Sequence, residues 1–373
     1  MVHARYVAQL KFAHLVVDSA FMLNASVISR QVSQELDLSL PPMIAAKALG
    51  PMPDFVLEQF GARTLGKALA ASALTQELID HKKGYLPEVS FANFVARICQ
   101  EVGGKNVGLM WAPNLTVRDY GLWGEYVLSA PTLGQALQRA GSIMPLHSSA
   151  DRTTLRYNGN LACYGYRFGL RQHHVYPEIA YSALGSMLSI FRHYLGRKWT
   201  PSAIKCDFPK PRVADDAEIT FGCQVSWNTG RLEICFPKVD MATSSGPCPG
   251  KPITVYDLHR EIAPIAPKSY ADVVIAVLRQ HLDSQKVSLD RTALALDIGP
   301  RTLQRRLLAE GESFRSVVNR AKVDRAKEIL ATKQFTVQEA AFELGYENPQ
   351  NFSRAFKNQT GITPSQYSRV KGN

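Results

Sequence analysis

The chain has 373 residues, of which 46% are hydrophobic, 20% charged and 9% aromatic. That is the composition of an ordinary globular protein of two or three domains, and it excludes a collagenous, low-complexity or disordered chain. The 43 Lys and Arg against 32 Asp and Glu leave a net charge of +11, which points toward a polyanionic partner. No run of about 20 apolar residues is present to cross a bilayer. Cys99, Cys163, Cys206, Cys223, Cys235 and Cys248 are scattered without CxxC spacing, which disfavours zinc or a dense disulfide framework. Lys11 and His14 interrupt the opening apolar run, so no secretory signal is expected, and a cytoplasmic protein with buried, inert thiols follows.

In chain order, Thr64–Asp80, Phe91–Val102 and Leu133–Met144 repeat apolar residues at three- and four-residue spacing and predict amphipathic helices. Leu161–Leu170 and Glu218–Trp227 alternate with period two and predict strands, and Arg231–Phe236 is placed to pair across the turn at Asn228–Gly230. Glu178–Leu195 is apolar enough to be a helix covering that sheet. The predicted class for residues 1–236 is therefore α+β. Residues 237–268 gather Ser, Gly and Pro in MATSSGPCPGKP and IAPIAPK, a composition that predicts a linker without a helix.

Beyond the linker, residues 269–373 read as purely helical. Seven helices are expected, near Ala271–Asp283, Leu289–Leu296, Pro300–Glu310, Phe314–Ala331, Val337–Leu344, Pro349–Gln359 and Ser365–Arg369. From Lys268 onward there are 17 basic and 11 acidic residues, an excess of six, against an excess of five over the longer preceding segment. Basic charge is thus concentrated at the carboxy-terminal end.

Two tandem units in this region carry the chemistry. In residues 336–358, Val337, Ala340, Ala341 and Leu344 give a short helix its apolar face, and Gly345 supplies a left-handed exit. Asn348 and Pro349 then start a second helix. Phe352, Ala355 and Phe356 turn inward, leaving Gln350, Asn351, Ser353, Arg354 and Lys357 outward, the pattern of a helix-turn-helix. Residues 288–309 repeat the pattern. Leu289, Ala293 and Leu296 pack a first helix; Leu303 and Leu307 anchor a second that presents Arg301, Gln304, Arg305 and Arg306. The intervening Phe314–Ala331 would span about 27 Å, roughly enough to hold two readers a DNA turn apart.

These residues resemble the AraC/XylS family of bacterial transcription regulators. The most specific stretches are GPRTLQRRLLAEGESF, RAKEIL and GYENPQNFSRAFKNQTGITPSQYSR, and the likeness runs over Leu278–Arg369. The segment from Pro41 to Val239, with VGLMWAPN…DYGLWGEYVLSAPTLGQAL at its centre, is similar to the arabinose-binding-type sensor domain of one branch of that family. Asp297 stands where the family usually has Gly, and Gly299 where it has a Ser cap. Asp tolerates the left-handed conformation and Gly caps tolerably, so the expected cost is about 1 kcal/mol or less.

The resemblance implies double-stranded promoter DNA as a partner, contact with RNA polymerase, activation as the output, and a small-molecule effector with a homodimer possible. Arg pairs bidentately with guanine and Asn or Gln with adenine. The base-reading candidates are therefore Arg301, Gln304 and Arg305, and Gln350, Asn351 and Arg354, while Arg306 and Lys357 are assigned to phosphates. Leu303, Leu307, Phe352 and Phe356 are assigned to the core. In the sensor half, Tyr164, Tyr166 and Phe168 share one strand face, which suits a core or an apolar pocket with polar tips. Tyr120, Trp123, His147, Tyr164, Tyr166, His173 and Tyr176 are the candidate effector contacts. No metal is expected at His173–His174, because adjacent histidines on an extended chain face opposite ways.

Two other classes compete. One is a constitutive DNA-binding protein whose first domain only dimerises. The other is a DNA-repair enzyme with a linked helix-turn-helix, for which Cys248 is the best thiol, though Pro247 and Pro249 flank it and no His lies near in sequence. No GxSxG, Walker loop, HExxH or Rossmann glycine pattern is present. Neither catalysis nor a cofactor is expected.

Overall fold

A computed structural model describes residues 40–103, 106–211, 215–246, 253–280, 282 and 287–370. The amino-terminal stretch used above to judge a signal sequence, and Cys248, lie outside the described residues.

Strand β1 (Met43–Ala45) pairs antiparallel with β2 (Tyr85–Pro87). Between them run α1 (Met52–Ser72), bent at Gly61, and α2 (Gln76–His81). The periodicity over Thr64–Asp80 predicted one helix. The structure has two, because Ala73 turns left-handed (φ 56°) and the Thr75 hydroxyl caps a new start at Leu78 N. Then follow α3 (Glu88–Glu101), α4 (Val107–Trp111), α5 (Leu122–Leu128) and α6 (Leu133–Ser142).

The larger sheet begins with the hairpin of β3 (Arg152–Asn158) and β4 (Leu161–Arg167), and α7 (Tyr176–Leu195) lies across it. The short β5 (Ala203–Lys205), α8 (Asp215–Phe221), β6 (Val225–Ser226) and β7 (Leu232–Pro237) complete it in the order β3-β4-β7-β5-β6. All pairs are antiparallel except β5–β6. Two strand expectations are corrected here. Glu218–Trp227 is mostly helix α8 and a turn at Gly222 (φ 70°), with two strand residues after it. Strand β7 is not the second arm of a local hairpin; it pairs with β4 and β5.

Apolar side chains of alternating register, including Ala162, Tyr164, Ile204, Leu232, Ile234 and Phe236, pack with α7 and the preceding helices into one core. On the opposite sheet face Cys163 and Cys235 sit directly across from each other and form a disulfide, which corrects their assignment as free thiols; Cys99, Cys206 and Cys223 are unbonded. No helix among the described residues is long and apolar enough to cross a membrane.

Within the stretch expected to be a helix-free linker, α9 (Val255–Glu261) forms. The segment from Thr254 to Glu261 contains no proline, and Thr254 and Asp257 make a reciprocal capping box that starts it. The seven expected carboxy-terminal helices are all present: α10 (Tyr270–Arg279), α11 (Leu289–Ala295), α12 (Pro300–Ala309), α13 (Phe314–Ala331), α14 (Val337–Glu343), α15 (Pro349–Thr360) and α16 (Pro364–Val370). The long α13 is the scaffold: Val323, Ala326, Ile329 and Leu330 pack against Ala340, Ala341, Leu344, Phe352 and Phe356.

Candidate nucleic-acid interface and sensor cavity

Each short first helix ends in a left-handed residue, Asp297 (φ 53°) after α11 and Gly345 (φ 68°) after α14. Asp297 therefore adopts the conformation expected of it despite carrying a side chain. Each second helix then begins with proline at its first position. The Asn348 side chain accepts a 2.7 Å bond from Gln350 N, whereas Gly299 offers no side-chain cap. The second unit thus has the better-satisfied amino terminus.

Burial separates the two faces of each second helix. Leu303, Leu307, Phe352 and Phe356 are fully buried. Phe352 lies 5.4 Å from the Tyr346 ring, and Phe356 lies 5.6 Å from that of Tyr367. Arg301, Gln304, Arg305, Gln350, Asn351, Arg354 and Lys357 are all exposed. Among the described residues none of these seven side chains makes an ion pair or hydrogen bond, so their donors face solvent. Arg306 is different: it is half-buried, with its guanidinium 5.1 Å over the Tyr270 ring of α10. Other cations of the region serve the scaffold. Arg320 holds Glu312 at 3.1 Å and Asp272 at 3.5 Å, and Arg325 holds Glu328 at 3.3 Å.

The sensor half encloses a cavity of about 50 Å³ between β3, β4, α5, α6 and α7. Tyr120, Trp123, His147, Tyr164 and Tyr166 line it, with Thr153, Ser186 and several apolar side chains. The rings are close: Tyr120 lies 4.6 Å and Trp123 5.1 Å from His147. Tyr120 Oη and Ser186 Oγ are 2.7 Å apart, and Trp123 Nε1 donates to Ile143 O at 3.0 Å. Burial lowers the His147 pKa to about 4 and raises those of Tyr120 and Tyr164 to about 12, so all three are neutral near pH 7.

Behind the cavity stands a buried acid pair. Tyr166 Oη and Gly169 N donate to Asp151, and Ser148 Oγ donates to Glu88 Oε1 at 2.6 Å. Burial pushes the Asp151 carboxyl up to about 6. Burial and the neighbouring Asp151 raise that of Glu88 well above the usual carboxylate range. No Lys or Arg lines the cavity.

Five of the seven sequence-chosen aromatic and histidine positions therefore meet at one place. The other two do not. Tyr176 is buried between Phe168 and Phe208 and donates to Asp207 at 2.7 Å. His173 stacks on His174 at 4.5 Å, because the chain there is a turn; the expectation that these rings face opposite ways is corrected. Sequence reasoning missed Thr153, Ser186, Asp151 and Glu88, which carry no motif and come together only through the sheet and α7.

Residues 64–244 match the N-terminal arabinose-binding domain of AraC transcription regulators, and residues 292–369 match a helix-turn-helix domain. An uncharacterized HTH-type transcriptional regulator of Mycobacterium bovis is 46% identical over 74 residues, which is 20% of this chain and 22% of that relative's length. The HTH-type transcriptional regulator VirS of Mycobacterium tuberculosis is 28% identical over 65% of this chain and 73% of its own. The ornithine utilization regulator of Pseudomonas aeruginosa is 24% identical over 80% of this chain and 88% of its own.

Proposed function

The chain belongs to the AraC family of transcription regulators, with an arabinose-binding-type domain ahead of its helix-turn-helix domain, and from that premise we propose that it is an effector-responsive, sequence-specific activator. The observation that carries this reading is the pair of polar faces on α12 and α15, where Arg301, Gln304, Arg305, Gln350, Asn351 and Arg354 are exposed and make no ion pair or hydrogen bond among the described residues, each face backed by buried apolar anchors on a common scaffold. Arg301, Gln304 and Arg305 read one half of the operator, and Gln350, Asn351 and Arg354 the other. Lys357 holds phosphate. Arg306 reaches phosphate only by leaving the Tyr270 ring, so its contribution to affinity is the smaller.

In this reading residues up to 236 sense, residues 237–268 link and residues 269–373 bind DNA. The aromatic cavity, at about 50 Å³ far smaller than a ligand pocket, receives a small uncharged or cationic effector only by widening, because it offers ring faces and hydroxyls and has no Lys or Arg in its lining to balance an anion. RNA polymerase is the downstream partner, as the family implies. That the relatives are named regulators supports a binding protein over an enzyme.

The test is a map of bound genomic sites followed by gel-shift titration of the full chain on the recovered fragment. Affinity should fall steeply with salt, as released counterions require, and should change when the cognate metabolite is added. Folded protein that retards no recovered fragment even at low salt would overturn the DNA-binding reading. Retardation indifferent to every metabolite of the controlled genes would leave the constitutive alternative.

A further inference from the structure

The sheet face opposite α7 holds a cleft of about 250 Å³, distinct from the aromatic cavity, lined by Arg167, Arg171, Arg231, Asp207 and Glu233 among others. Two carboxylates form its base, Asp207 and Glu233, each with only 2% of its side chain exposed. Arg171 pairs with Asp207 at 2.7 Å; Arg156 and Lys205 flank Glu233 at 3.2 and 3.7 Å. These pairs hold the cations in place and neutralise both acids, while the buried Glu233 Oε1 has no hydrogen-bond partner among the described residues. Arg167 and Arg231 are left over: both are exposed, line the cleft and make no ion pair among the described residues.

The strand register sharpens the point. Arg152 of β3 lies directly opposite Arg167 of β4, and the ladder pair Tyr166–Leu232 brings Arg231 opposite Arg167 on the other side. Three arginines are thus in register here, but the Arg152 guanidinium donates to Ser149 O at 3.0 Å and Asp151 O at 2.6 Å and does not line the cleft, which leaves Arg167 and Arg231 facing it. Like charges directly opposite on paired backbone destabilise a sheet, and a polyanion seated between Arg167 and Arg231 removes that cost for this pair. Guanidinium groups take carboxylate and phosphate oxygens in bidentate geometry.

We propose that this cleft is a binding site for a compact polyanion, a small di- or tricarboxylate or a phosphate ester, gripped by Arg167 and Arg231 with Arg171 at its side. Tyr166 lines both this cleft and the aromatic cavity, so the anion bears on the strand that also carries the proposed effector contacts. The site stands on the outer face alone and does not depend on the effector reading.

The experiment is calorimetric titration and thermal unfolding of the full chain with citrate in one arm and pyrophosphate in the other, each against sodium chloride at equal ionic strength. The arm that binds more tightly identifies the carboxylate or phosphate class. Arg167→Gln with Arg231→Gln should weaken binding by about tenfold or more, the worth of lost charge-assisted hydrogen bonds, with no loss of unliganded stability because both side chains are exposed. Arg301→Ala with Arg354→Ala, on the DNA-binding helices, should leave anion binding unchanged. Equal binding to wild type and the Arg167/Arg231 variant, or no response beyond sodium chloride in either arm, overturns the site. So does a variant that loses affinity for duplex DNA while keeping its affinity for both small anions, since the cleft would then lie on the DNA path.

Discussion

Replacing Arg354 by alanine separates reading from folding more cleanly than any other single change. Its side chain is exposed and has no partner among the described residues, while Phe352 and Phe356 on the same helix are fully buried. Removing Arg354 should therefore alter folding stability by no more than about 0.5 kcal/mol. The loss falls on DNA: a bidentate arginine–guanine pair is worth about 1–3 kcal/mol of discrimination, roughly 5- to 150-fold in affinity for the cognate site and little for a scrambled one. Phe352→Ala is the contrast. It empties a site packed by Tyr346, Phe356 and the α13 side chains, at about 3–5 kcal/mol. That is a large share of the roughly 5–15 kcal/mol that holds a domain folded, so all DNA binding should weaken together. Urea unfolding of both variants, with competition gel shifts against single-base operator changes, reads the difference. If Arg354→Ala lowers the unfolding midpoint as much as Phe352→Ala, or changes neither affinity nor base preference, the outward face of α15 has been assigned wrongly.

Three further outcomes follow from the sensor half. Burial holds the Asp151 carboxyl up at about 6 in the folded chain beside Glu88, against about 3.9 when unfolded; the stabilisation from this acid pair is complete below the unfolded value and is lost as pH rises through 6. Asp151→Asn should flatten the stability curve measured between pH 4 and 7, and an unchanged slope would show the carboxyl is ionised when folded. Gly124→Ala would place a Cβ 1.6 Å from the Val117 carbonyl oxygen, so it should cost about 3 kcal/mol or more by thermal unfolding and displace the Tyr120 segment; wild-type stability would refute that packing. Reducing the Cys163–Cys235 bond, which closes 72 residues of chain, should lower the denaturation midpoint by the equivalent of about 2–5 kcal/mol, and Cys163→Ser should abolish the response to reductant.

What could be read from the sequence was whatever depends on neighbours along the chain. The cap at Asn348, the proline at 349 and the left-handed residues 297 and 345 are local devices, and the helices they delimit stand where the pattern placed them. The alternation Tyr164, Tyr166 was also informative, since both rings line the cavity. Over Glu218–Trp227 the same kind of alternation misled: its apolar residues suit either period over so short a run, and Gly222 interrupts it. Strand β3 had no signal, because Arg152, Arg156, Tyr157 and Asn158 are exposed and give it no continuous apolar face. Tyr176 was attractive because it lies, with His173 and His174, near a stretch read as a loop, but the start of α7 turns it toward Asp207 instead.

Any effect of the cavity on DNA binding must cross contacts between the two halves, and their energies bear on whether it can. Helix α3 starts with Glu88 of the buried acid pair, and two residues on the Ser90 hydroxyl donates at 3.3 Å to the carbonyl of Ala295, the last residue of α11. Glu77 of α2 pairs with Arg325 of α13 at 2.8 Å, and the charge of Asp297, in the turn of the first unit, bears on His173. A hydrogen bond of this kind is worth about 1 kcal/mol and a largely solvated ion pair up to about 1 kcal/mol. Polar contacts of that size contribute roughly 1–3 kcal/mol, the range of coupling free energies between sites in allosteric proteins. They are strong enough to bias the placement of the first unit and weak enough for an effector to reverse. The first unit, with the less well-capped reading helix and the contacts to α3, is therefore the one whose engagement with DNA an effector would alter most directly, while the Glu77–Arg325 pair reaches the α13 scaffold that also backs the second unit.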